Sequence, residues 1–123
     1  YLVCTGTGIA PFRSMVHHIL NNNLPHRHIY LIFGCRKKSD ILYYDELVDL
    51  SHRIENFHYY PTLSREEWEG KTGYVHEVYA ALLKEKPPAY FFLCGWKNMI
   101  NDARHRLTEL GYDKKDIHFE LYG

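Results

Sequence analysis

Five short apolar runs, at residues 1–4, 28–34, 57–63, 89–94 and 117–122, recur along this chain with a segment of helical period between each pair of neighbours. Runs of that length and character read as strands buried on both faces of a sheet. Between them, Phe12, Met15, Val16, Ile19 and Leu20 form one apolar helical stripe, and Val75, Val78, Tyr79, Leu82 and Leu83 form another at the same spacing. Tyr44, Leu47 and Val48 predict a shorter helix after Asp40, and Met99, Ile100, Ala103, Leu107 and Leu110 predict a last one ending at Gly111. The repeated exchange of strand and helix predicts an α/β fold: a five-stranded parallel sheet, order 3-2-1-4-5, right-handed crossovers, and helices on both faces in a Rossmann-like arrangement. With 123 residues and 46% hydrophobic content, the chain fits one domain with one sheet-centred core.

In that order the topological switch point falls between strands 1 and 4, where open α/β sheets bind ligands. Residues 5–11 and 95–98 are the loops that meet there. The first reads Thr5, Gly6, Thr7, Gly8, Ile9, Ala10, Pro11. Gly6 and Gly8 let backbone approach a ligand closely, Pro11 suits a first helical position, and the free N–H groups of a helix start attract negative charge. Pro11 stands where the third glycine of G-x-G-x-x-G would be, and no Gly-Lys-Ser/Thr follows, so this is not a Walker loop. A plain strand-to-helix turn is the alternative reading of the motif by itself. Beyond strand 2 stands Arg36, where a NAD-type domain usually carries an acid for the ribose 2′-hydroxyl. After strand 3, Ser64 and Arg65 add a hydroxyl and a guanidinium suited to a phosphate oxygen. Cys94 and Gly95 close strand 4, the glycine letting a flat ring approach the backbone. Glu120 and Tyr122, two apart in strand 5, project to one face near the same crevice. A dinucleotide is the leading ligand.

Fifteen basic residues balance fifteen acidic ones, so the electrostatic footprint of a nucleic-acid binder is missing. Three scattered cysteines, Cys4, Cys35 and Cys94, fit a reducing compartment better than a disulfide framework. No apolar run is long enough for a membrane span and no export signal appears, which makes a cytoplasmic location and no membrane partner the default expectation. The nine histidines lack zinc-site spacing and no metal is expected; Ser64 has no histidine nearby to activate it. Tyr1 is not a methionine and already lies in the first strand, so the chain reads as a piece of a longer protein.

Taken together, these residues resemble the NADP(H)-binding domain of the ferredoxin–NADP+ reductase family, and the likeness covers essentially the whole chain. Gly6-Thr-Gly-Ile-Ala-Pro-Phe-Arg13 resembles the family's pyrophosphate loop, Leu42-Tyr-Tyr-Asp-Glu-Leu47 its second-helix signature, and Ser64-Arg-Glu66 its 2′-phosphate motif. Cys94-Gly-Trp-Lys-Asn-Met99 is similar to the segment beneath the nicotinamide, which brings Trp96 and Met99 into the site. Phe119-Glu-Leu-Tyr122 resembles the plant-type ending, in which the glutamate assists transfer geometry and the tyrosine covers the flavin ring. The resemblance implies Cys94, Glu120 and Tyr122 as catalytic residues, Arg36 as support for the 2′-phosphate and Tyr74 as a neighbour of the adenine. It implies NADP(H) or NAD(H) as cofactor and FAD bound mainly by an N-terminal domain missing here. The acceptor it implies is ferredoxin, flavodoxin or an oxygenase. Trp68 and Gly70 with Gly73-Tyr-Val75 look more like the bacterial oxygenase-reductase branch, where NADH is often used. A nucleotide-binding module that passes no electrons is the non-enzymatic alternative.

Overall fold

A computed structural model describes residues 1–122, the side chain of Tyr122 excepted. The elements run β1 (Leu2–Thr5), α1 (Ile9–Asn21), β2 (Ile29–Cys35), α2 (Tyr44–Arg53), β3 (Phe57–Leu63), β4 (Lys71–Thr72), α3 (Val75–Leu82), β5 (Phe91–Trp96), α4 (Lys97–Glu109) and β6 (Ile117–Tyr122), with single 3-10 turns between some of them. Among the described residues all strand pairs are parallel and the sheet has six strands in the order β4-β3-β2-β1-β5-β6.

The expected five-stranded sheet is corrected in one respect. Its five strands and their order are present as β3-β2-β1-β5-β6, and β4 is added at the outer edge. Lys71 and Thr72 pair with Thr62 and Leu63. Two residues, both exposed, carry no alternation of apolar and polar side chains, so this strand leaves no mark in the sequence.

Alternation along each strand divides the core. Cys4, Leu31, Phe33 and Cys94 point to one face, beneath Phe12 and Val16 of α1 and Leu47 and Leu50 of α2. Val3, Ile32 and Leu93 point to the other, beneath Val78 and Tyr79 of α3 and Ile100 and Leu107 of α4. Both faces are covered, which is why the central strands are apolar throughout. Within the α1 stripe Phe12 and Val16 are buried, whereas Met15 is 36% exposed, at the rim of the contact.

Polar contacts tie the α1 and α2 layer together. The Arg13 guanidinium donates to both carboxylate oxygens of Glu46, and His17 Nε2 lies 3.3 Å from the same carboxylate. Tyr43, which starts α2 in the left-handed region at φ 58°, has its ring under that guanidinium, 4.5 Å from it. A bulky residue rarely adopts this conformation; here the cation–π contact helps to hold it.

The helix after β1 begins earlier than the proline indicates. A 3-10 turn over Gly6–Gly8 leads directly into α1 at Ile9, placing Pro11 within the first helical turn, where a missing N–H leaves no helical bond unmade.

Candidate functional site

A cleft of about 600 Å³ opens at the C-terminal ends of β1, β2, β3 and β5 and runs between the start of α3 and the outer side of α4. Thr5, Arg36, Ser64, Arg65, Tyr74, Trp96 and Met99, all expected site residues, line it. Backbone bonds explain how residues 29 positions apart share one wall. The Ser64 N–H donates to the Cys35 carbonyl at 2.9 Å and the Arg65 N–H to the Arg36 carbonyl at 3.0 Å. The chain leaving β3 is thereby fastened to the chain leaving β2, and two exposed arginines stand side by side.

Close backbone approach brings the other strand ends together. A β-carbon on Gly34 would lie 2.7 Å from Val75 Cγ1, so the absence of a side chain lets the start of α3 settle on the end of β2. Gly95, at φ +147°, faces Thr5: a β-carbon there would stand 2.3 Å from Thr5 Oγ1. Thr5 Oγ1 in turn accepts the Trp96 N–H at 3.2 Å. Trp96 belongs to β5 and not to a loop, so this strand extends two residues beyond the expected end at Cys94.

Thr7 and Ala10 are exposed, Pro11 is half-buried, and Gly8 and Ile9 are buried. Together with Gly6 they form the turn next to Trp96 and do not themselves line the cleft. Cys94 is only 2% exposed; its side chain lies in the core layer beneath α1, with Cys4, its register partner on β1. Burial, followed by the nearby Cys94 and Cys35, pushes the Cys4 thiol well above its ordinary range. Glu120 is the β6 register partner of Cys94 and therefore shares its face of the sheet, but it is exposed and stands outside the cleft. The backbone of Tyr122 ends β6 opposite Trp96, and its side chain lies outside the described residues.

Asp102, Arg106 and His76 of the cleft went unread in the sequence, and Asn98 was read only as part of the 95–98 loop. Asn98, Asp102 and Arg106 recur every fourth residue on α4 and present a polar stripe to the cavity. His76, 8% exposed, lies at its floor with Nδ1 2.7 Å from the Tyr79 hydroxyl. Burial first, then Arg106, holds this imidazole below its ordinary pKa, with Asp102 partly opposing them. The i, i+4, i+8 spacing on α4 was the available signal, but any solvated helix face shows the same pattern. Among the described residues, no group of three or more His, Cys, Asp or Glu side chains is placed to hold a metal ion, and no helix is long and apolar enough to cross a membrane.

A parallel sheet with a cationic cleft at its strand ends, beside a glycine turn that opens a helix, defines a dinucleotide-binding α/β domain. Residues 2–105 match the family described as oxidoreductase NAD-binding domain, and the chain belongs to that family. It is 36% identical over 129 residues to ferredoxin–NADP reductase B of Sorangium cellulosum, an alignment covering 98% of this chain and 52% of that protein. It is 31% identical over 123 residues to the anthranilate 1,2-dioxygenase electron transfer component of Acinetobacter baylyi, covering 98% of this chain and 35% of that protein. A ferredoxin NADP+ reductase from Neisseria gonorrhoeae, solved with FAD and NADP bound, superposes with a TM-score of 0.82 at 24% identity, over 98% of this chain and 54% of that one. The chain thus spans about half or less of the length of these proteins.

Proposed function

We propose that this chain is the nicotinamide-nucleotide half of a flavin-dependent reductase that passes hydride between NADP(H) and an FAD held by an adjoining domain, for a ferredoxin- or flavodoxin-type acceptor. The observation that carries this reading is the pair of backbone bonds joining Ser64 to Cys35 and Arg65 to Arg36. They set two guanidiniums and a hydroxyl on one wall, the chemistry that a ribose 2′-phosphate requires.

From β3 past β2 and β1 to β5 the strand ends span roughly 14 Å, three parallel-strand spacings, a row that an extended dinucleotide suits. Arg65, Arg36 and Ser64 hold the 2′-phosphate, and exposed Tyr74 packs near the adenine. The Gly6–Gly8 turn and the N-terminus of α1, from Ile9 to Pro11, receive the pyrophosphate. The fit is supported by the glycines: at Gly6, Gly8 and Gly95 a β-carbon would crowd Trp96, Cys94 or Thr5, and without one the turn seats directly against the end of β5. The nicotinamide ring rests at Gly95, on backbone that buried Cys94 holds at a fixed height. Met99 closes the α4 side and Glu120 orients the ring from β6, while Tyr122 covers the flavin. When bound, the two cofactors supply the hydride chemistry. The residues named here contribute alignment and the exclusion of water.

The test is to express the longer protein and add NADPH or NADH without oxygen. The expected result is a yellow flavin band bleached by both, and at lower concentration by NADPH. No bleaching with either nucleotide overturns the reading.

One observation favours a second reading, the NADH-using reductase component of an oxygenase. Trp68 packs on Gly70 and donates its indole N–H to the Lys71 carbonyl, bracing β4, and these are residues whose pattern resembles the oxygenase-reductase branch. Tighter binding of NADH than NADPH in the same titration selects it.

A further inference from the structure

Trp96 lies where the proposed dinucleotide has to pass. Its backbone is fixed at the end of β5, where its N–H meets Thr5 Oγ1 at 3.2 Å. From there the indole reaches back over the glycine turn. The three atoms nearest to a β-carbon built on Gly6 are Cζ2, Cε2 and Nε1 of this ring, at 3.2, 3.5 and 3.6 Å. Gly6, at φ +54°, has no side chain to hold the ring off. Beyond the ring stands Arg36, its guanidinium carbon 5.9 Å from the indole centroid. The indole therefore bridges the two groups assigned to phosphates, the turn and the arginine. It is 47% exposed and lines the cleft, so it covers the seat without being locked into a core.

From this placement we infer that the Trp96 indole is a built-in competitor of the dinucleotide: it occupies the pyrophosphate seat when the site is empty and rotates away when the nucleotide enters. The inference rests on the proposed nucleotide site and adds a property to it. Resting on the turn, the ring satisfies Gly6 by packing and Arg36 by cation–π attraction. A bound dinucleotide takes both partners, its pyrophosphate the turn and its 2′-phosphate Arg36. Apparent affinity then falls by the fraction of molecules whose seat is open, and removing the ring restores it. A ligand that ends at the adenosine 2′-phosphate takes only Arg36 and leaves the ring on the turn, so it meets a weaker competition than the whole dinucleotide.

The experiment uses the complete flavoprotein and measures dissociation constants for NADP+ and for adenosine 2′-monophosphate in the wild type, Trp96→Ala and Trp96→Leu. Removing the indole is expected to tighten NADP+ by about three- to tenfold, as for a seat open in roughly a tenth to a third of molecules. Leucine gives an intermediate value, and the adenosine 2′-monophosphate constant tightens less than that of NADP+ in both variants. NADP+ binding that is unchanged or weaker in both variants overturns the inference and leaves the nucleotide site standing. Equal tightening of both ligands also overturns it, because the effect is then not confined to the pyrophosphate seat. Circular dichroism and flavin content establish that each variant is folded; should alanine fail there, leucine alone decides. If the wild type binds neither ligand, the underlying site reading fails instead.

Discussion

Gly8 and Cys94 are packed so closely that a β-carbon on the glycine would stand 2.3 Å from the cysteine's carbonyl oxygen and 2.7 Å from its carbonyl carbon. The turn after β1 is thus seated directly on the end of β5, backbone against backbone. No flexible side-chain end is available to move aside, so this contact fixes the height of the turn proposed for the pyrophosphate relative to the strand proposed for the nicotinamide.

Gly8→Ala tests that relationship. The added methyl forces the turn off β5, and overpacking of this kind costs about 1–3 kcal/mol. The expected outcome is a lower urea midpoint together with weaker binding of both NADPH and NADH. A variant with unchanged stability and affinity would show that the turn adjusts freely.

Cys94→Ala tests the strand beneath the ring. The side chain is buried away from the cleft, so 2′-phosphate binding is expected to survive while flavin reduction in stopped flow slows on the order of tenfold through a displaced ring. An unchanged reduction rate would remove Cys94 from the positioning apparatus.

The α1–α2 junction sets an acid response. Glu46 is pulled from 4.5 to about 2, first by its hydrogen bond from Arg13, against the opposing effect of burial, and then by His17 and the neighbouring charges. A carboxylate with a depressed folded value contributes stability above its unfolded value and loses it as pH falls through the folded one. The loss is therefore expected between 4.5 and about 2. Both side chains are about a third exposed, which limits the contribution to about 1 kcal/mol or less. Urea midpoints of wild type and Glu46→Gln are expected to converge across that window as pH falls. A constant difference would mean that the ion pair does not titrate with Glu46.

How much of this was legible in the sequence depends on the kind of signal. The five longer strands announced themselves because both faces of a central parallel strand are apolar, and Phe12, Val16, Val78, Leu83 and Leu107 kept helical period because each meets the sheet. That same double-sided burial hid which way Cys94 points: in a run such as Phe91–Trp96 no polar residue marks the outward side until the strand ends. β4 escaped because two exposed residues have no period. Asp102 and Arg106 escaped because a helix face that lines a cleft and one that faces solvent are equally polar. The turn itself was readable from its two glycines, yet nothing in the sequence said that Trp96 folds back onto it.

The proposed nucleotide site depends most on Arg65 standing beside Arg36 to receive a 2′-phosphate. The direct measurement is the pair of dissociation constants for NADPH and NADH in the complete flavoprotein, wild type against Arg65→Ala. Loss of one charge-assisted contact is expected to weaken NADPH by roughly ten- to a hundredfold and to leave NADH nearly unchanged. Equal weakening of the two, or no change in either, would contradict it.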